Sequence, residues 1–260
     1  MADRLRTGIP ELDQMLGGGI LLGDSTMVVG GTGTGKTILV LQSLVNGVTQ
    51  FNENGIYVTF EQLPTQVYRD AKNLGWNLRQ LEAENKFRVV CTSPDLLLKQ
   101  SSDGGYILDE VIRQVRPKRI AIDSLSHLEM YAKGNELRRE AYRLTKYLAS
   151  KDLSPMFTWE SHELTGTTAT LTKVGVSFLA DCIISLRFVE IESSMRKAML
   201  VLKVRGSDHD KRLREFEITS KGVTIGAPFS RYEAIMSGTP RKSWADETID
   251  GWTKAFARKP

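Results

Sequence analysis

Between Met27 and Trp159 the chain alternates short apolar runs with longer amphipathic stretches. Met27-Val28-Val29, Ile56 to Phe60, Phe87 to Cys91, Arg119 to Asp123 and Pro155 to Trp159 each read as a short buried strand. The intervening stretches follow a helical period. Ile38 to Val48 repeats at that spacing, residues 64–84 read as one or two helices broken near Gly75-Trp76-Asn77, and Tyr106 to Val115 is periodic until Pro117 stops it. Leu137, Ala141, Leu144 and Leu148 make one apolar stripe within Glu136 to Ser150. Asn52 to Gly55 is a turn, and Ser93 to Gly105 reads as a polar, mobile connection. Strands that alternate with helices predict an α/β fold with a mainly parallel sheet covered on both faces.

The rhythm differs at the two ends. Upstream, Leu12, Met15 and Leu16 fall within about one helical turn, and Gly17-Gly18-Gly19 stops that helix. The three glycines leave the backbone free for a close approach, a hinge or a loose loop. Downstream, Asp181 to Val189, Ala198 to Val204 and Glu215 to Ile218 are strand-like with short connections, which predicts antiparallel additions at one side of the sheet. Residues 1–240 are expected to form one domain and 241–260 a tail, partly helical. In that tail Ile249, Trp252 and Phe256 form an i, i+3, i+7 stripe suited to docking within an assembly.

Composition adds little to this picture. The chain has 260 residues and a net charge of +4, with 35 basic side chains nearly matched by 31 acidic ones. That balance permits nucleic-acid binding without requiring it. Cys91 and Cys182 each sit in an apolar run and read as buried free thiols of a reducing compartment. No apolar run approaches the length of a membrane span and the first eight residues lack a signal-peptide core, so a cytoplasmic protein is expected.

The chemistry concentrates at Gly30 to Thr37, Gly-Gly-Thr-Gly-Thr-Gly-Lys-Thr. A strand before it and a helix after it are the context in which a GxxxxGK[ST] stretch wraps phosphates. Backbone N–H groups of Gly31, Thr32, Gly33, Thr34, Gly35 and Ile38 can then curl round the anion, Lys36 can reach the outer phosphates, and the Thr37 hydroxyl can sit on Mg²⁺. Ligands of an open α/β sheet gather at the carboxyl ends of its strands. Asp123 ends the Arg-Ile-Ala-Ile strand as a metal-organising carboxylate of the Walker B kind, and Ser124 follows it, placed to hydrogen-bond a phosphate-bound water. Glu61 follows Phe60 and suits a group that takes a proton from an attacking water, or else an acidic residue that complements a helix dipole. Lys203 and Arg205 alternate along a strand and leave it on one face, either as cationic fingers for a neighbouring copy's phosphates or as a solvated strand face.

These motifs, with Leu16 to Gly19, Tyr57 to Glu61, Arg119 to Ser126, Phe188 to Ile191, Lys203 to Lys211, Arg214-Glu215-Phe216 and Phe229 to Pro240, resemble the KaiC family of RecA-like ATPases. The likeness runs from about Arg6 to Arg241 and is strongest to the second of the family's two ATPase domains. It implies a RecA-like fold, hexameric rings with ATP and Mg²⁺ between subunits, slow hydrolysis, and a regulatory protein partner. The alternative is a scaffold that uses ATP mainly to assemble. By resemblance Lys36 and Thr37 hold nucleotide and Mg²⁺, Asp123 is the Walker B carboxylate, and Glu61 is the first, catalytic member of a glutamate pair. Lys203, Arg205, Ser207 and His209 match the stretch that reaches the neighbour's nucleotide. The second glutamate of the pair is Gln62 here, a change expected to alter proton handling more than to abolish hydrolysis. The family's autophosphorylated Ser-Thr pair matches Ser177 and Phe178, with Thr172 as a nearby third hydroxyl position, so autophosphorylation at a single site stays open while an ordered two-site cycle is not expected. Leu164 to Val174, where related recombinases bind DNA, has neither a basic run nor an aromatic platform, and nucleic acid is not expected as a partner.

Overall fold

The computed structural model describes residues 3–99, 106–161, 179–230, 232–233, 235 and 241–242. At the N-terminus a ribbon of β1 (Arg4–Leu5) and β2 (Ile20–Leu21) brackets α1 (Pro10–Met15). Leu12, Met15 and Leu16 are fully buried. Gly17, Gly18 and Gly19 all have positive φ, and a Cβ at Gly19 would lie 2.5 Å from the Leu5 carbonyl oxygen. The close approach decides among the three readings of this glycine run.

The apolar runs become the centre of a nine-stranded sheet. Its strands are β3 (Thr26–Gly30), β4 (Gly55–Thr59), β5 (Phe87–Cys91), β6 (Arg119–Asp123), β7 (Ser154–Glu160), β8 (Cys182–Ile191), β9 (Ser194–Val204), β10 (Arg214–Thr219) and β11 (Gly222–Pro228). They lie in the order β11-β10-β9-β8-β3-β7-β6-β4-β5. From β8 to β5 neighbours are parallel, and β9, β10 and β11 extend the sheet antiparallel. The expected antiparallel additions therefore begin one strand later than predicted, because β8 runs parallel to β3 and only its other edge is antiparallel.

Side chains leave successive strand residues on opposite faces, and two cores follow. Val28, Tyr57, Ala121 and Met156 face one core, which is covered by α1, α2 (Lys36–Phe51), α3 (Pro64–Asn73) and α4 (Leu78–Ala83). Met27, Val29, Ile56, Val58, Ile120, Ile122 and Phe157 face the other. That side is covered by α5 (Pro94–Leu98), α6 (Ile107–Val115) and α7 (Gly134–Ala149), with a 3₁₀ turn at Leu125–Met130. The predicted stripe Leu137, Ala141, Leu144 and Leu148 is the buried face of α7. The break near Gly75 divides α3 from α4, as the sequence predicts.

Two local expectations are corrected. The Ser93 to Gly105 connection contains α5, started by Pro94 in the first turn and fixed by Leu97, which is buried in the core. Cys91 is exposed, because it ends the edge strand β5, while Cys182 is buried and its thiol pushed up to about 12 by that burial. Among the described residues no helix is long and apolar enough to cross a membrane.

Candidate nucleotide site

Gly30, the last residue of β3, has no room for a side chain, since a Cβ there would lie 2.4 Å from the Leu186 carbonyl oxygen on β8. Gly35 has φ +105 and a Cβ on it would meet Ile218 of β10 at 2.7 Å, so the loop between β3 and α2 needs glycine at both points. Within the loop the Thr34 hydroxyl donates to Gly31 O at 2.8 Å. Lys36 folds back under it, and Nζ donates to Gly30 O and Gly31 O, both at 2.9 Å. Burial lowers the ammonium pKa from its ordinary value, opposed by the charges of Glu160, Asp123 and Glu61 in that order. Gly31 and Thr34 are buried, Thr32 and Gly33 are exposed, and Ile38 packs its side chain on the core below.

Asp123, at the end of β6, is buried and takes three hydroxyl donors. Thr37 Oγ1 and Tyr57 Oη donate to Oδ2 at 2.6 and 2.7 Å, and Thr158 Oγ1 donates to Oδ1. Burial, and then the adjacent Asp123 charge, hold the Tyr57 phenol well above its usual range, so it stays a donor. A hydroxyl and a carboxylate in contact at the start of α2 form the hard oxygen pair that Mg²⁺ takes, and the positive-φ glycines Gly33 and Gly35 lead into a helix N-terminus, where unpaired N–H groups favour an anion. The residues present thus fit both a phosphate chain and its Mg²⁺. Ser124 behaves differently from the sequence expectation. Its hydroxyl is tied to Ser126 Oγ and donates to Thr158 O at 3.2 Å, so it braces the strand end.

Glu61 is exposed just beyond β4, and the Thr59 hydroxyl accepts from the Glu61 and Gln62 N–H groups at 3.4 and 3.2 Å. Phe60 N donates to Asp123 O at 3.1 Å, which fixes the turn against the end of β6. A second glutamate stands closer to the loop. Glu160 ends β7, opposite Gly30 in register, and accepts a hydrogen bond from Thr32 Oγ1. Sequence reasoning ended that strand at Trp159 and gave Glu160 no role. The one available signal was the position itself, an acidic residue at the carboxyl end of a predicted parallel strand.

Lys203 and Arg205 lie elsewhere. Strand β9 runs antiparallel to β8, so Lys203 pairs with Ile183 near the start of β8, and the start of β8 pairs with the start of β3. Both cations therefore sit at the edge formed by the amino ends of the parallel strands, opposite their own phosphate loop and roughly 13 Å of strand away from it. Lys203 Nζ donates to Ala180 O at 2.6 Å, and Arg205 Nη1 donates to Asp181 Oδ1 at 2.9 Å. Arg4 Nη2 donates to Ser207 Oγ at 2.5 Å, tying this stretch to the N-terminal ribbon, while His209 Nδ1 is buried without a hydrogen-bond partner among the described residues. Ser177, Thr172 and the Ile249, Trp252 and Phe256 stripe lie outside the described residues.

A phosphate-loop strand, an aspartate-tipped strand and an intervening strand in one parallel sheet define a RecA-like nucleoside-triphosphatase fold. The chain belongs to the KaiC ATPase family, whose family model matches residues 5–230. It is 36% identical over 237 residues to the circadian clock protein KaiC3 of Synechocystis sp., covering 91% of this chain and 46% of that one. It is 33% identical over 256 residues to the circadian clock oscillator protein KaiC of Prochlorococcus marinus, covering 98% and 50%. The oscillator protein KaiC of Nostoc sp. is 35% identical over 247 residues, covering 95% and 47%. The chain spans about half the length of these relatives.

Proposed function

We propose that the chain binds ATP with Mg²⁺ at the Gly30 to Thr37 loop and hydrolyses it slowly, within a hexameric ring whose adjoining copy completes each site. Residues 1–240 act as the ATPase domain and 241–260 as a docking tail, and the nucleotide state is read by a regulatory protein partner. The observation that carries the reading is the meeting of Lys36, Thr37 and Asp123 beneath one glycine loop. The position of Lys203 and Arg205 at the opposite sheet edge supports a contribution across subunits, because the strands separate them from their own loop.

In this reading Lys36 turns its ammonium from the loop carbonyls to the outer phosphates, and Thr37 and Asp123 hold the metal. Mg²⁺, when bound, neutralises charge on the β- and γ-phosphate oxygens. Water attacks the γ-phosphorus in line, its proton passes to the Glu61 carboxylate, and the bond to the β–γ bridging oxygen breaks to release ADP. Lys203 and Arg205 of the adjoining copy stabilise the charge that develops on the transferring phosphoryl oxygens. Glu61→Gln keeps the shape of the side chain and removes the base. ATP turnover by this variant, measured on assemblies of unchanged size, is expected to fall by about 10²-fold or more. Unchanged turnover would contradict the assignment. Loss of turnover with the partner response intact would favour an ATP-assembled scaffold.

A further inference from the structure

We propose that Glu160 sets the preference of the site between nucleoside triphosphate and diphosphate, by holding a fixed negative charge against the outermost phosphate. The inference rests on the nucleotide-site reading above and adds a residue that reading does not use.

Strand β7 lies between β3 and β6, so its last residue stands between the phosphate loop and Asp123. Glu160 is anchored there from both sides. Its own N–H donates to Ser126 Oγ at 3.4 Å, and the next residue, Ser161, donates its N–H to Gly30 O at 3.0 Å. The carboxylate turns onto the loop, where it accepts from the Thr32 hydroxyl through Oε1. Among the carboxylates that act on Lys36, Glu160 acts most strongly, ahead of Asp123 and Glu61. In a loop of this type the lysine reaches the β- and γ-phosphates, so the charge of Glu160 lies on the terminal-phosphate side. Asp123 also lies there, but it is covered by three hydroxyl donors and takes part in the metal pair.

Three consequences oppose a third phosphate. Glu160 shares the field of Lys36 that would otherwise be spent on the γ-phosphate, and it engages the Thr32 hydroxyl, a donor at the loop surface. It also repels the charge by which a triphosphate exceeds a diphosphate. At contact distances near a protein surface such a term is worth about tenfold or more in affinity. A site of this kind does not fill with ATP regardless of conditions. Its occupancy follows the ratio of ATP to ADP.

Isothermal titration of the full chain with ATP and with ADP, each with Mg²⁺, tests this. Glu160→Gln is expected to tighten ATP binding about tenfold and to change ADP binding by less than about threefold. Glu160→Asp, which keeps the charge, should hold the wild-type ratio of the two constants. An ATP-to-ADP ratio that is the same in Glu160→Gln and wild type would overturn the inference. So would a Glu160→Gln chain that binds both nucleotides as wild type does but no longer turns over ATP, because Glu160 would then be a proton acceptor. Lys36→Ala separates the two levels of the argument. If it binds nucleotide as tightly as wild type, or if wild type binds none, the nucleotide site itself fails.

Discussion

Asp123 and Asp24 show how differently one side-chain type behaves at the two edges of this sheet. Asp123 is buried yet surrounded by the hydroxyls of Thr37, Tyr57 and Thr158. Asp24, at the opposite edge, has no such cover among the described residues. Burial first and then the neighbouring Asp181 push its carboxyl from an ordinary 3.8 up to about 6, against the opposing charges of Arg205 and Arg4. The folded chain thus holds a proton that the unfolded chain releases. Its contribution to stability is fully present below about pH 3.8 and is lost as pH rises through about 6. Asp24→Asn should remove that dependence and stabilise the protein above pH 7, by no more than about 1 kcal/mol because the group is partly exposed. Thermal melts at pH 5 and pH 7.5 check this: the wild-type melting temperature should fall between them more than that of the variant. At this scale the sequence was legible where chemistry is written contiguously. Lys36 and Thr37 declare themselves within eight residues, whereas Glu160 gains its neighbours only through the pairing of β3 with β7.

Elements were readable in proportion to how much apolar surface each one buries. The four leucine and alanine positions of α7 and the five central apolar runs stand out because their period is unbroken. Helix α5 is only five residues long, and a proline and an aspartate followed by three leucines do not separate from a loop. The first three residues of β9, Ser194, Met195 and Arg196, are exposed, so its buried positions begin only at Ala198. One inter-element contact has a measurable weight. Arg119 at the start of β6 is 4% exposed and pairs with Glu53, which follows α2, while its Nη1 donates to Ser43 O at 3.2 Å inside α2. Removing one partner of a buried pair leaves the other charge uncompensated. Glu53→Ala should therefore cost about 3 kcal/mol, read as a lower midpoint in urea with an unchanged slope. A loss below about 0.5 kcal/mol would mean that the pair behaves as a surface pair.

The whole molecule is organised by strand order, which no local pattern contains. That order brings the carboxyl ends of β3, β7, β6 and β4 side by side, so that the loop, Glu160, Asp123 and Glu61 share one edge. It sends Lys203 and Arg205, held at Ala180 and Asp181, to the other edge. Alternation along the sequence could say that these two cations share a strand face, but not which end of the sheet that strand reaches. In the proposed reading the loop at one edge and Lys203 with Arg205 at the other are two half-sites that neighbouring copies combine. Mixing two defective chains tests this most directly. Lys36→Ala lacks the nucleotide half and Arg205→Ala the finger half, and each alone should turn over ATP at least about 10³-fold slower than wild type. Co-assembled in equal amounts they should recover a substantial fraction of wild-type turnover, because some interfaces then join an intact loop to an intact finger. If the mixture stays as inactive as its components while forming assemblies of wild-type size, the nucleotide is not shared between copies.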